Sequence, residues 1–155
     1  MREDLDYLEG QYITFVLGRE EYGIALNKVH EILGPDGIQE AEIEKPCVKG
    51  VLKLRGQKVP ILDLFCHFKT EGILVKGGGA VLVTALGVES GMLGLWVEAI
   101  RQVLHVDSSC LRRAPVIPTD PRSEFIVGVA QIQGRTITLL SFDKGFELLP
   151  NLSAH

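Results

Sequence analysis

The sequence predicts a mainly β protein made of two small barrels of about five strands each, packed around a shared hydrophobic core, with only short helices. Three observations lead there. VKGVLKLRGQKVPILDLF, from Val48, and IVGVAQIQGRTITLLSF, from Ile126, pair Gly50 with Gly128, Leu54 with Ile132, Gly56 with Gly134 and Val59 with Ile137 at one constant separation. FVLGREEYGIALNKVHEIL, from Phe15, matches TALGVESGMLGLWVEAIRQVL, from Thr84, in the same order. Both copies consist of short β-rich runs broken by glycine-bearing turns, too short for anything but tightly connected sheets. Self-similarity kept in chain order means two copies of one unit, residues 11–68 and 80–146, with 69–79 as the joint.

Each unit opens with a β-rich run, YITFVLG or AVLVTALG, then a polar turn and a short apolar strand, YGIAL or LGLWV, the pattern of a hairpin. Val29, Ile32 and Leu33 follow at i, i+3 and i+4, which predicts one or two helical turns with Val29 facing inward and Glu31 outward. The unit closes on two alternating strands joined by Arg55-Gly56 or Gln133-Gly134, where glycine accepts the positive φ of a primed two-residue turn. Gly50 and Gly128 lie within strands, a position that calls for a bulge, a corner or a close backbone approach. The closing LLSFDKGFELL predicts a terminal helix, weakened by Gly145.

Composition narrows the function. The chain has 155 residues, 46% of them hydrophobic, with a net charge of −4 and a pI near 5.6. It therefore lacks the cationic footprint of a nucleic-acid or anionic-membrane binder, and its strands carry no row of stacking aromatics. The acidic start MREDLDYLEG is unlike a signal peptide, and no run approaches the length of a membrane span, so the expectation is a cytoplasmic protein. Cys47, Cys66 and Cys110 are odd in number and widely spaced, which predicts reduced thiols and no metal site.

Catalytic patterns are missing. His30-Glu31-Ile32-Leu33-Gly34 lacks the second histidine of a zinc helix, Glu20-Glu21 falls in a predicted turn where both carboxylates would be solvated, and Gly77-Gly78-Gly79 lacks the lysine and hydroxyl of a phosphate loop. No cofactor is expected. The loop SSCLRRAPVIPTDPRSE, with Arg112, Arg113 and Arg122, is the one basic segment; its prolines restrict the unfolded chain and its arginines solvate it. An arginine in only one of two matched turns, Arg55 against Gln133, is not needed for the frame the copies share.

QYITFVLGREEYGIALNKVHEIL, VKGVLKLRGQKVPILDL, GLWVEAIRQVL and IVGVAQIQGRTITLLSFDK resemble, in order and over nearly the whole chain, the CheW family of chemotaxis adaptors. The resemblance implies two five-stranded SH3-like barrels around a common core, and a non-enzymatic adaptor coupling chemoreceptors to a CheA-type histidine kinase. The implied partners are the kinase's regulatory domain and the cytoplasmic signalling tip of the receptor, which would recruit the chain to membrane receptor arrays without inserting it. Val29, Glu31, Gly50 and Arg55 are the positions that the resemblance places in the contact regions, although Val29 also fits as core. An arginine at a contact contributes on the order of 2 kcal/mol or more through its planar fork. Lys53, Phe65-Cys66-His67 and Glu98 depart from the family's usual residues. Adaptors of pilus or surface-signalling pathways share the pattern, and a small-ligand-binding barrel is the reading from another class.

Overall fold

The computed structural model describes residues 2–39, 47–70, 78–85, 91–115 and 117–143. The residues 86–87 of the repeat match, most of the 69–79 joint including Gly77, and residues 144–149 of the proposed terminal helix lie outside them. The strands are β1 (Gly10–Leu17), β2 (Glu20–Ala25), β3 (Val29–Leu33), β4 (Ile38–Gln39), β5 (Val48–Leu54), β6 (Gln57–Asp63), β7 (Ala80–Ala85), β8 (Met92–Val97), β9 (Ala99–Val106), β10 (Leu111–Arg112), β11 (Ile126–Ile132) and β12 (Arg135–Leu140). The α-helix α1 (Leu64–Phe68) follows β6. The strands form two sheets, each of five full strands and one two-residue strand.

Sheet A runs β10-β11-β12-β2-β1-β9 and sheet B runs β3-β7-β8-β6-β5-β4. The sequence units 11–68 and 80–146 therefore do not fold one to a sheet: each sheet takes its opening hairpin from the other unit. The β1–β2 hairpin joins β9–β12, and the β7–β8 hairpin joins β3–β6. The exchange is made by the two parallel pairs, β2 with β12 and β6 with β8. Every other pairing is antiparallel, between strands close in the chain or at the rim of the exchanged hairpin.

Period-2 patterning then sorts the side chains. In sheet A, Tyr12, Ile137, Leu139, Ala130 and Val106 point into the curl of the sheet, where Leu8 from the 3-10 segment Arg2–Leu8 closes one end. The Tyr12 hydroxyl donates to the Leu8 carbonyl at 2.7 Å. In sheet B, Leu52, Val59, Ile61, Val81 and Val83 form the equivalent interior. The opposite faces of the exchanged hairpins meet each other: Ile13, Phe15, Leu17 and Tyr22 pack on Leu82, Leu93, Leu95 and Val97 in one shared core, as the apolar patterning led us to expect. Phe68 and Phe125 extend it with Phe142, their rings 4.6–6.1 Å from one another or from Tyr22. Each such fully buried side chain contributes about 1.5–3 kcal/mol by leaving water, so the core that joins the sheets is the largest single source of stability.

Three expectations are corrected. Val29–Leu33 is a strand, not a helix: a 3-10 turn at Leu26–Lys28 ends the hairpin, and the next five residues alternate between half-buried and exposed. Cys47 and Cys66 are not free thiols but a disulfide, with Cα atoms 5.3 Å apart. They stand 19 positions apart along the chain, yet antiparallel β5 and β6 bring both ends together, Val48 facing Leu62 and the Asp63 N–H donating to the Cys47 carbonyl. Cys110 alone is a free thiol. Finally, Glu21 is not solvated: it is the second residue of β2, faces the sheet A interior and is 8% exposed.

Candidate functional site

Arg55 and Gly56 have φ of 49° and 81°, the paired positive values of a type I′ turn, with Leu54 facing Gln57 beneath it. Gln133 and Gly134 repeat this at 51° and 77°. A non-glycine residue in that region carries modest strain, and here it aims the Arg55 side chain back over the end of sheet B. Its Nη2 lies 2.7 Å from Glu31 Oε1 on β3. In the sheet order, β3 and β5 stand near opposite rims. The ion pair therefore spans the mouth of the curl, and the sheet closes on itself like a barrel.

A bulge decides how Glu31 gets there. The β3–β7 register shifts between Val29 and Glu31, which face Thr84 and Val83 respectively. Val29 consequently turns toward the shared core, as expected, while Glu31, expected to face outward, is instead turned by the bulge to the side of Val83 and Leu33, in the mouth of sheet B. The Glu31 side chain is 24% exposed, and Oε1 is enclosed with the Arg55 charge opposite but no aligned hydrogen bond. Arg55, at 76% exposure, offers the rest of its fork to the outside. Gly50 is buried in β5, at a bulge between Val48 and Gly50 and with φ of 151°, so its place in the structure is set by the backbone. Glu31 and Arg55 are thus brought together, while Val29 and Gly50 support the frame beneath them.

The asymmetry between the two turns now has a physical account. In the repeat match Glu31 corresponds to Gln102, Gln57 to Arg135 and Arg55 to Gln133. Sheet A also closes its mouth with an arginine–glutamate pair, from different positions: Arg135 Nη2 lies 2.8 Å from both oxygens of Glu21. Gln102, with its amide oxygen turned to Arg135 Nη1 at 3.1 Å, completes that plug. In one the pair lies at the floor of the mouth; the other is covered by an arginine reaching in from an exposed turn.

Two apolar side chains that alternation alone did not flag stand outward on the sheet rims: Ile32 on β3, 48% exposed, and Val103 on β9, 52% exposed. They occupy matching positions of the two copies. A groove of about 550 Å3 lies where the sheets meet, lined among others by Ile24, Leu26, Thr84, Ala85, Leu140 and Phe142. In the basic loop Arg112 and Arg113 are exposed, whereas Arg122 turns inward. Arg122 binds Asp120 through Nε and Nη2, the Tyr22 hydroxyl at 2.9 Å, and Glu20. Burial, with its bond to Glu20, pushes Tyr22 up to about 12, and the Arg122 guanidinium holds Asp120 below the usual carboxylate range. Among the described residues no group of three or more His, Cys, Asp or Glu side chains is placed to hold a metal ion, and no helix is long and apolar enough to cross a membrane.

Two curled sheets sharing one core, with charged and apolar side chains exposed at their mouths and rims, define a double β-barrel protein. The CheW-like domain family matches residues 11–148, and the chain belongs to the CheW family of chemotaxis scaffolds. It is 31% identical over 134 residues to the chemotaxis protein CheW of Klebsiella aerogenes, covering 86% of this chain and 80% of that protein. It is 28% identical to the CheW of Treponema pallidum, over 88% of this chain and 81% of that one. The crystal structure of the scaffolding protein TtCheW from Thermoanaerobacter tengcongensis shares the fold with a TM-score of 0.74 at 23% identity, covering 86% and 84% of the two chains.

Proposed function

We propose that this chain couples the cytoplasmic signalling tips of chemoreceptors to a CheA-type histidine kinase, and that it does so by holding both partners at once. The observation that carries the reading is the presence, on one rigid core, of two separate surfaces of different chemistry. The mouth of sheet B presents Arg55, fixed by Glu31, beside Ile32 on a rim strand: a charged anchor next to an apolar contact, which suits the regulatory domain of the kinase. The groove between the sheets is mostly apolar, which suits the apolar ridge of an amphipathic helical hairpin, the form of a receptor tip. Simultaneous engagement raises the effective concentration of each partner for the other, so control passes through geometry alone.

The test is co-sedimentation of the chain with receptor signalling fragments and the kinase, for the native protein, Arg55→Ala and Ala85→Trp. Arg55→Ala is expected to keep receptor binding and lose most kinase recruitment; Ala85→Trp, which fills the groove, is expected to do the reverse. Normal recruitment and activation by both variants would remove the assignment.

A further inference from the structure

A second pocket, also of about 550 Å3, opens at the end of sheet A between the β1–β2 turn and the first residues of β9 and β12. Its walls carry Arg19, Arg101 and Arg135 against Glu20 and Glu21. Both carboxylates are already committed. Arg135 takes the two oxygens of Glu21, and Arg122, from outside the pocket, takes Glu20. Arg101 only approaches Glu21, at 3.8 Å, with half of its side chain in solvent. Arg19, exposed on the turn, has no ion pair among the described residues. Counted with Arg122, Asp120 and Glu98 the charges around this mouth balance, but Arg19 and Arg101 are its two guanidinium groups with no carboxylate closer than 3.8 Å among the described residues.

We propose that this mouth receives an acidic segment of a partner protein, its carboxylates taken bidentately by Arg19 and Arg101. The chemistry of the walls selects that ligand over a compact phosphate. A phosphate site gathers convergent backbone N–H donors, but the donor at this turn, the Gly18 N–H, is already given to Glu98 Oε1 at 2.9 Å. The Glu21 carboxylate in the wall also repels a dianion drawn to the floor of the pocket, whereas carboxylates spaced along an extended chain meet the two rim arginines without entering it. The exposed Thr136, whose hydroxyl donates to Gln131 Oε1 at 3.1 Å, borders the same mouth. The surface lies on sheet A, away from Arg55 on sheet B, and stands independently of the coupling function.

The experiment is a titration of the 15N-labelled full chain with a hexaglutamate peptide at low ionic strength, followed by amide shifts and by anisotropy of the labelled peptide. Shifts are expected at Gly18, Arg19, Arg101 and Thr136. Arg19→Ala/Arg101→Ala is expected to weaken binding at least tenfold while keeping the native spectrum, since both side chains are exposed, and Lys53→Ala on sheet B is expected to bind like the native chain. Added salt weakens the complex. No binding by the native chain, equal binding by the double variant, or shifts centred elsewhere would overturn the proposal. Millimolar inorganic phosphate that displaces the peptide and reproduces its shifts would also overturn it, by making the ligand a small oxyanion.

Discussion

Arg55 and Arg135 are two arginines with the same partner type and opposite surroundings. Arg55 is mostly in solvent, and its glutamate keeps a quarter of its surface exposed; a pair of that kind contributes between nothing and about 1 kcal/mol. Arg135 is 30% exposed and covers a glutamate that is 8% exposed, so its removal strands a buried carboxylate with only the distant Arg101 for relief. Breaking a buried pair from one side costs about 3 kcal/mol. In urea denaturation, Arg55→Ala is expected to fall within about 1 kcal/mol of the native chain, whereas Arg135→Ala loses roughly three times as much. Equal losses would mean that both mouths are sealed alike, and that Arg55 is a frame residue.

The helix α1 shows how an element is held and how it answers to pH. The Asp63 carboxylate caps it by accepting from the Cys66 N–H, Lys69 ends it with φ of 54°, and the Cys47–Cys66 bridge ties it to the start of β5. On its inner side His67 packs 5.3 Å from Phe125. Burial there lowers the His67 pKa below the ordinary 6.5, while Glu124 acts weakly in the other direction. With the folded value depressed, the unfolded chain binds the proton first as pH falls. The stability that depends on neutral His67 is fully present above about pH 6.5 and is lost as pH drops from there through the folded pKa. His67→Phe should therefore flatten the pH dependence of the unfolding free energy just below pH 6.5. An unchanged slope would show that another group sets it.

At the scale of the molecule, the exchange of hairpins makes the halves of the chain mutually dependent. Residues 1–70 retain β3–β6 but lose β7 and β8, the inner strands of that sheet, and residues 78–155 lose β1 and β2 in the same way. The shared core draws on both halves too. Fragments cut between residues 70 and 78 are therefore expected to be unfolded alone, by circular dichroism and amide dispersion, and to recover the native spectrum when mixed. Two fragments that fold separately would contradict the pairing of β2 with β12 and β6 with β8. For an adaptor this dependence is useful, because a load at one sheet is transmitted to the other through a common interior rather than a linker.

Much of this was written in the residues themselves. The doubled pattern, the β class, the type I′ turns and the glycine bulges follow from local chemistry, since period-2 alternation and positive φ are properties of a few neighbouring residues. The Val29–Leu33 strand was hidden because its inward face carries a charge, Glu31, and its outward face an isoleucine, Ile32: the paired glutamate broke the apolar alternation and left a helical spacing in its place. Whether Arg55 and Glu31 meet, whether Cys47 finds Cys66, and which copy lends its hairpin to which sheet were decided only by the folded chain. A repeat records that two segments share a pattern, whereas pairing between segments distant in the chain is fixed by which apolar faces bury each other, and that choice belongs to the closed core.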